Sequence, residues 1–403
     1  MTDFWKLEEI SFEKPKAKHD ILCENHFINN IKRDPSGRYI ARLPFIKGDR
    51  TLGDSRAAAY RRFHALENKF ISNSELKLEY HKVMQEYLDL GHMSLVSDDS
   101  DHRYYLPHHA VIKKSSSTTK VRVVFDASAK SNNNKSLNDI LMTGPTIQNT
   151  IFTQLLKFRS HKYVLTADIE KMYRQILLHK DDRAYQRILW RVGDQIRTFE
   201  LNTVTFGITS SPFLAIRTIH QLADDEANHF PRAAHILKND LYVDDLLTGA
   251  SNISETRQLR DEIVKLLKRG QFNIRQWASN EPKLIADLSN VNVNSNFLLD
   301  KNCTLKTLGI SWEAKFDENE SFWNIIKPII AVSQFFGNFP ISGLYNSKPD
   351  EYVFKFSSFI TSYSVMIISL IGIGIAATFN EVIHSTKGET FTFSSNSECF
   401  CEL

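Results

Sequence analysis

The chain has 403 residues, 42% hydrophobic and 24% charged, an ordinary globular composition with length for two or three domains. A net charge of +3 and a pI near 8.5 are compatible with a nucleic-acid partner but do not by themselves indicate one. The scattered cysteines Cys23, Cys303, Cys399 and Cys401 exclude a zinc spacing or a disulfide framework, which makes a reducing compartment the default, and the N-terminus has no signal-peptide pattern.

Residues 1–105 are predicted to be mostly helical. Helices are expected from Ser55 to Phe70 and from Ser74 to Leu90, the second N-capped at Ser74 and stopped at Gly91, and a short strand is expected between Gly37 and Pro44. His92, His108 and His109 are neighbours in sequence and read as structural rather than metal-binding. Two strands, near 111–114 and 121–125, flank a polar Ser/Thr turn. This hairpin would gather Lys113, Lys114, Lys120 and Arg122, a positive cluster suited to a triphosphate or simply a solvated charged hairpin.

The run from Tyr163 to Asp168 is an apolar strand ending in a carboxylate, a common place for a metal ligand, and Ile169 to Ile176 follows with helical character. Tyr173, one turn on, suits packing beneath a sugar or ordinary core packing. Further on, Gly207 permits close approach of backbone to a ligand, and Ser211 with Pro212 gives the grammar of a helix start.

Asn239 to Leu247 holds adjacent Asp244 and Asp245 between short apolar runs and reads as strand, acidic turn and strand. Such turns are more often merely solvated. Burying two unpaired carboxylates is costly, however, and a divalent cation with oxygen ligands, Mg²⁺, resolves the conflict and points to two-metal nucleotidyl or phosphoryl transfer. With Asp168, three carboxylates would serve two cations. An amphipathic helix from Ser254 to Gly270, a strand and turn over 272–280 and a short hairpin or strand over 305–312 come next. Residues 359–379 are uncharged and of transmembrane length.

The ordered blocks CENHF, GRYIARLPF, EYLDLGHM, YYLPHHAVIKKSSSTTKVRVVFDASAKS, SLNDILMTGPTIQN, LTADIEKMYRQI, QRILWR, TFGITSSPFLA, LYVDD, WASN and LGISW together resemble the reverse transcriptases of BEL/Pao-type LTR retrotransposons over residues 4–316. The resemblance implies a right-hand polymerase of fingers and palm, an incomplete α+β fold. Asp168 matches the first palm motif, and Asp244 and Asp245 match Tyr-x-Asp-Asp, so that two Mg²⁺ ions (or Mn²⁺) would be held by Asp168 and Asp244 with Asp245 assisting. It further implies that Tyr173 is the gate excluding a ribose 2′-hydroxyl and that Arg122, with Lys113 or Lys114, holds the incoming dNTP. Gly207, Ser211 and Pro212 match the template-side loop, and Gly309 and Trp312 fall in a stretch resembling the primer grip. The partners implied are an RNA or DNA template-primer and dNTPs. Gln276 departs from the family, which commonly has Lys there, and thumb, connection, protease, RNase H and integrase are expected to be lacking.

Residues 321–380 resemble the N-terminal part of insect sugar gustatory receptors, with 359–379 as the first transmembrane helix. One span cannot make a seven-helix channel. The expected organisation is a helical region over 1–105, fingers and palm over 106–316, a receptor-like segment over 317–358, the span 359–379 and a tail over 380–403. The two resemblances imply a retroelement joined to a receptor fragment, expected to be a decayed insertion or a gene-model join rather than a selected fusion. The product is membrane-associated through that span if the C-terminal segment is expressed and otherwise cytoplasmic. A taste receptor fragment with a retroelement passenger is the alternative function.

Overall fold

The computed structural model describes residues 18–46, 51–97, 104–112 and 121–294, and short strands between 304 and 354. The chain divides into two compact units, Met1–Phe316 and Asp317–Leu403.

The first unit begins with α1 (Lys18–Asn30), β1 (Lys32–Arg33) and β2 (Tyr39–Ala41). The turn between β1 and β2 is closed by Asp34, whose Oδ1 accepts from the backbone N–H groups of Ser36 and Arg38. The expected strand over 37–44 is thus shorter than its apolar pattern. Helices α2 (Arg56–Ser72) and α3 (Ser74–Asp89) fall where predicted. On α2, Ala59, Phe63, Leu66 and Phe70 recur at helical spacing and are buried. The N-cap of α3 is Asn73, not Ser74: its side chain accepts from Leu76 N–H, leaving Ser74 in the first turn. Gly91, at φ +66°, closes that helix in the left-handed conformation.

Strands β3 (Met93–Leu95), β4 (His108–Ile112) and β5 (Val121–Phe125) follow, then α4 (Ile151–Ser160), β6 (Tyr163–Ile169), α5 (Met172–Gln175), β7 (Leu177–Leu178), α6 (Lys180–Arg183), β8 (Arg187–Val192) and β9 (Gln195–Leu201). β4 and β5 pair antiparallel as the expected hairpin, with His108 opposite Phe125. β3, β9 and β8 make a second sheet. Around these strands, α2 and α3 bury one apolar cluster. Inside it the His108 ring is wholly engaged: Tyr80 Oη lies 2.5 Å from Nδ1 and Leu189 O 2.8 Å from Nε2. The carbonyl fixes the tautomer, with Nε2–H donating and Nδ1 accepting. His108 therefore has the structural role expected for it.

The remaining elements are α7 (Ser211–Asp225), α8 (Pro231–Asn239), β10 (Leu241–Tyr242), β11 (Asp245–Ala250), α9 (Ile253–Arg269), β12 (Ile274–Ser279), β13 (Thr304–Thr307) and β14 (Ile310–Glu313). Pro212 stands in the first turn of α7, and the side chain of Asn252 caps α9 by accepting from Glu255 N–H. The strands order β10-β11-β6-β12, all antiparallel. Alternation sends Leu165, Ala167 and Ile169 of β6 to one face, where they pack with α7, α8 and α9 in a second core. Each large apolar side chain fully buried there contributes about 1.5–3 kcal/mol over its exposed state. Val164, Thr166 and Asp168 occupy the other face, and α4 covers its far end through Phe158, which packs with Val164 and with Leu247 of β11. β13 and β14 form the predicted hairpin. In the second unit the described residues are β15 (Ile341–Ser342) and β16 (Val353–Phe354), paired antiparallel. The candidate span 359–379 lies outside the described residues, among which no helix is long and apolar enough to cross a membrane.

Burial lowers the pKa of His108 to about 4, against 6.5 in a free side chain. Between those values the unfolded chain binds the proton and the folded chain does not, so this group's contribution is complete above pH 6.5 and is lost as pH falls toward 4. His108→Phe is expected to lower the urea midpoint at pH 7 through the lost hydrogen bonds, yet to lose less further stability than the native chain between pH 6.5 and 4. Equal acid losses in the two proteins would show that His108 does not titrate this way.

Candidate active site

Asp168 ends β6 on the face away from the helices. The ladder sets Asp245 directly opposite it, and Tyr242 opposite Asp245 across the hairpin. The hairpin turn is Val243-Asp244, one residue earlier than a turn centred on the Asp pair. Asp244 O accepts from Ile169 N–H at 2.9 Å, which pins the turn to the end of β6. Val243 adopts φ +55°, a left-handed conformation that a β-branched residue rarely accepts. Gln148 holds it there: its Oε1 accepts from Val243 N–H at 3.2 Å and its Nε2 donates to Leu241 O at 3.4 Å.

The electrostatics tie Asp168 to Asp244. Burial raises the Asp168 pKa to about 6, the Asp244 carboxylate adds to the rise, and Arg275, then Arg122, opposes it. Burial also raises Asp244, against its own backbone N–H and Arg122. Asp245 is half-buried at the start of β11. Among the described residues no group of three or more His, Cys, Asp or Glu donors is gathered for one ion. The close electrostatic pair is therefore Asp168 with Asp244, and Asp245 joins Asp168 through strand register.

Arg122 is exposed on β5, and its charge acts on both members of the pair. Lys113, Lys114 and Lys120 lie outside the described residues. Tyr173 is buried in α5, its hydroxyl pKa pushed up to about 12 by burial and by Asp244. Its ring centroid lies 4.1 Å from that of Phe206, which is 47% exposed. Gly207, at φ +92°, presses on the end of β5, where a Cβ would overlap Phe125 O. Asn138 fixes that loop from both sides, donating to Gly207 O at 3.0 Å and accepting from Thr209 N–H at 2.9 Å. Ser211 is buried and donates its hydroxyl to Thr205 O at 2.6 Å, so it shapes the loop from within, whereas Pro212 is exposed. Trp312 lies on β14 opposite Leu305, and Gly309 falls outside the described residues.

Arg275 was not foreseen. β12 sets it opposite Asp168 on the side away from β11, and its Nη2 lies 3.3 Å from Glu170 Oε1. A bulge between Arg275 and Ala278 puts Gln276 at φ +59°, so Gln276 leaves the ladder. Phe206 was also missed, although an exposed aromatic beside a glycine was visible in TFG. No signal pointed to Gln148, whose partners are 93 and 95 residues away. A further network runs from the turn after Asp168 to α3: Glu86 Oε1 lies 3.2 Å from Lys171 Nζ and 2.8 Å from Arg174 Nη1.

The model of the reverse transcriptase (RNA-dependent DNA polymerase) family matches residues 112–277, and that of the trehalose receptor family matches residues 267–395. No curated protein matches the chain. Among solved structures it is similar to a prototype foamy virus protease–reverse transcriptase, a selenomethionine-labelled CSH mutant. That match has 15% identity and a TM-score of 0.42, covering 74% of this chain and 36% of that one. The chain thus spans about a third of that protein's length. The likeness to reverse transcriptases thus falls on residues 112–277, and the likeness to trehalose receptors overlaps its last residues and continues to residue 395.

Proposed function

We propose that the first unit is the fingers and palm of an RNA-directed DNA polymerase of the BEL/Pao type, extending a primer on an RNA or DNA template with dNTPs. The observation that carries the reading is the meeting of Asp168 and Asp244 where β6 and β11 pair, with Arg122 acting on both. Two half-buried carboxylates, each with its proton affinity raised by burial and that of Asp168 raised further by Asp244, are only partly offset by Arg275 and Arg122, and hard oxygen donors of this kind fit Mg²⁺ or Mn²⁺. Asp168 and Asp244 would hold the ions, with Asp245 assisting from the opposed position. Bound there, such ions acidify a primer 3′-hydroxyl and stabilise charge at the α-phosphate.

The other roles belong to this chain's side chains. Arg122, with Lys113 or Lys114, neutralises the triphosphate and orients it toward the carboxylates. Tyr173, braced by Phe206, presents a fixed ring edge to the sugar. Gly207 lets backbone come close to the base. The second reading, a membrane chemoreceptor fragment, is favoured by the trehalose receptor match over 267–395. It concerns the C-terminal part and the candidate span 359–379.

Asp168→Asn and Asp244→Asn are each expected to lower Mg²⁺-dependent dNTP incorporation on a primed RNA template at least about a thousandfold. Activity surviving in both would assign the chemistry elsewhere. The raised Asp168 pKa also carries a stability cost. Above pH 6 the folded state must hold the charge, while between about 6 and 3.8 the folded chain binds a proton that the unfolded chain does not, so this penalty disappears on acidification. In metal-free buffer Asp168→Asn is expected to be more stable than the native chain at pH 7, by on the order of 2 kcal/mol, and to lose that advantage toward pH 4. A variant less stable at pH 7 would contradict the burial of this charge. If residues 359–379 anchor the chain, the full-length protein sediments with membranes and a 1–316 fragment does not. Equal partition of the two would remove the membrane reading.

A further inference from the structure

The helical layer behind the sheet carries a charged surface that the polymerase reading leaves unused. Lys265, Lys268 and Arg269 stand at i, i+3 and i+4 near the end of α9 and so share one face. With the half-buried Phe230, which precedes α8, they line an open cavity of about 310 Å³. Among the described residues, no ion-pair or hydrogen-bond partner meets the side-chain ammonium of Lys265 or Lys268. Arg269 Nε lies 3.9 Å from Glu226 Oε2, but that carboxylate already accepts from Arg33 Nη1 at 2.8 Å and stands near His229 Nδ1 at 3.6 Å. One buried carboxylate therefore faces two guanidinium groups, those of Arg33 and Arg269, and with Lys265 and Lys268 the surface keeps a positive excess.

Cations at a helix C-terminus are favoured by its exposed carbonyls. That account does not cover this cluster. Arg33 Nη2 already donates to Arg269 O at 2.5 Å, so the helix end is satisfied by another segment. Lys265 also lies more than a turn from the helix end, and the macrodipole effect is confined to the last turn. The position is informative as well. α9 packs on the face of β6 that carries Leu165, Ala167 and Ile169, opposite the face of Asp168. Five residues beyond Arg269, Ile274 pairs with Ile169. The patch thus sits at the same end of the sheet as the carboxylates but behind it.

We propose that Lys265, Lys268 and Arg269 bind the phosphodiester backbone of a nucleic-acid strand outside the catalytic cleft, with the Phe230 ring available to a base. The choice of a nucleic acid over an acidic protein rests on the polymerase reading, since a domain that works on a polyanion at this end of the sheet brings one within reach of these cations. An aromatic ring among backbone-tracking cations is also the usual composition of a single-strand site.

The test is equilibrium binding of fluorescein-labelled oligo(dT) to the full-length chain across about 50–200 mM salt. Lys265→Glu/Lys268→Glu is expected to weaken binding about tenfold or more at the low-salt end and to flatten the log–log salt slope by about 1.4, two phosphates' worth for a single strand. Lys265→Ala/Lys268→Ala should reproduce the slope change. Lys77→Glu/Lys82→Glu, an equal change in net charge at two exposed positions of α3, should not. An unchanged slope in the α9 variants, or an equal change in the α3 variant, overturns the proposal. So does loss of polyglutamate binding with oligo(dT) binding intact, which would make the surface an acidic-protein site. Because the readout is binding, a native chain that binds oligo(dT) but incorporates no dNTP would count against the polymerase reading alone.

Discussion

The antiparallel ladder between β6 and β11 is the constraint on which the rest depends. It sets Asp245 against Asp168 and carries Asp244 to the end of β6, through backbone hydrogen bonds that are indifferent to side-chain charge. Because side chains alternate, the same register sends Leu165, Ala167 and Leu246 to the helical layer. A slip of one residue would bury Asp168 against α7 and α9 and expose the core. The apolar face thus enforces the register, and the register imposes an unfavourable meeting of carboxylates on the opposite face. Such strain persists only where the surroundings over-determine it. Here the surroundings are the helical core, Gln148 on the hairpin and the left-handed Val243 it holds.

The second dependency is the closeness of β5 to this ladder. Arg122 acts on both carboxylates because the end of β5 is held against the loop at Gly207, where no side chain would fit. Asn138 grips that loop, and Phe206, next in sequence, meets the ring of Tyr173. From below, Glu86 on α3 pairs with Lys171 and Arg174, and the Arg174 guanidinium lies 4.8 Å from the Tyr87 ring centroid. The two apolar cores are therefore linked by polar contacts at the turn that follows Asp168, so a shift of α3 would be felt at the carboxylates.

The two family likenesses share residues 267–277. In the fold this stretch runs from the end of α9 into β12, with Phe272, Ile274 and Trp277 buried and β12 paired to β6. Removing it would strip the sheet of a strand and leave β6 with an open edge. Whatever its likeness to trehalose receptors, the shared stretch is physically part of the sheet that carries Asp168.

Local patterns identified much of this protein from sequence. Helical spacing of apolar residues located α2, α3 and α9, while an apolar run ending in Asp located β6. Adjacent acids between short apolar runs located the hairpin, since each of these signals is complete within a few turns of chain. Cap chemistry was less legible: Asn73 and Ser74 are both good N-caps, and backbone conformation chose the first. What tertiary structure alone decided was which distant segments meet. Arg275 became a neighbour of Asp168 only when β12 took the edge beside β6, and Gln148 became the hairpin clamp only across 93 and 95 residues of chain. Ser211 opens α7 as its place before Pro212 suggested, but its hydroxyl turns inward to Thr205 O. The sequence by itself thus determined the elements and their reactive side chains, because propensity and periodicity are local. The pairing of carboxylates, and the charges that tune them, came from packing, because burial and Coulomb energies exist only between groups that the fold has brought together.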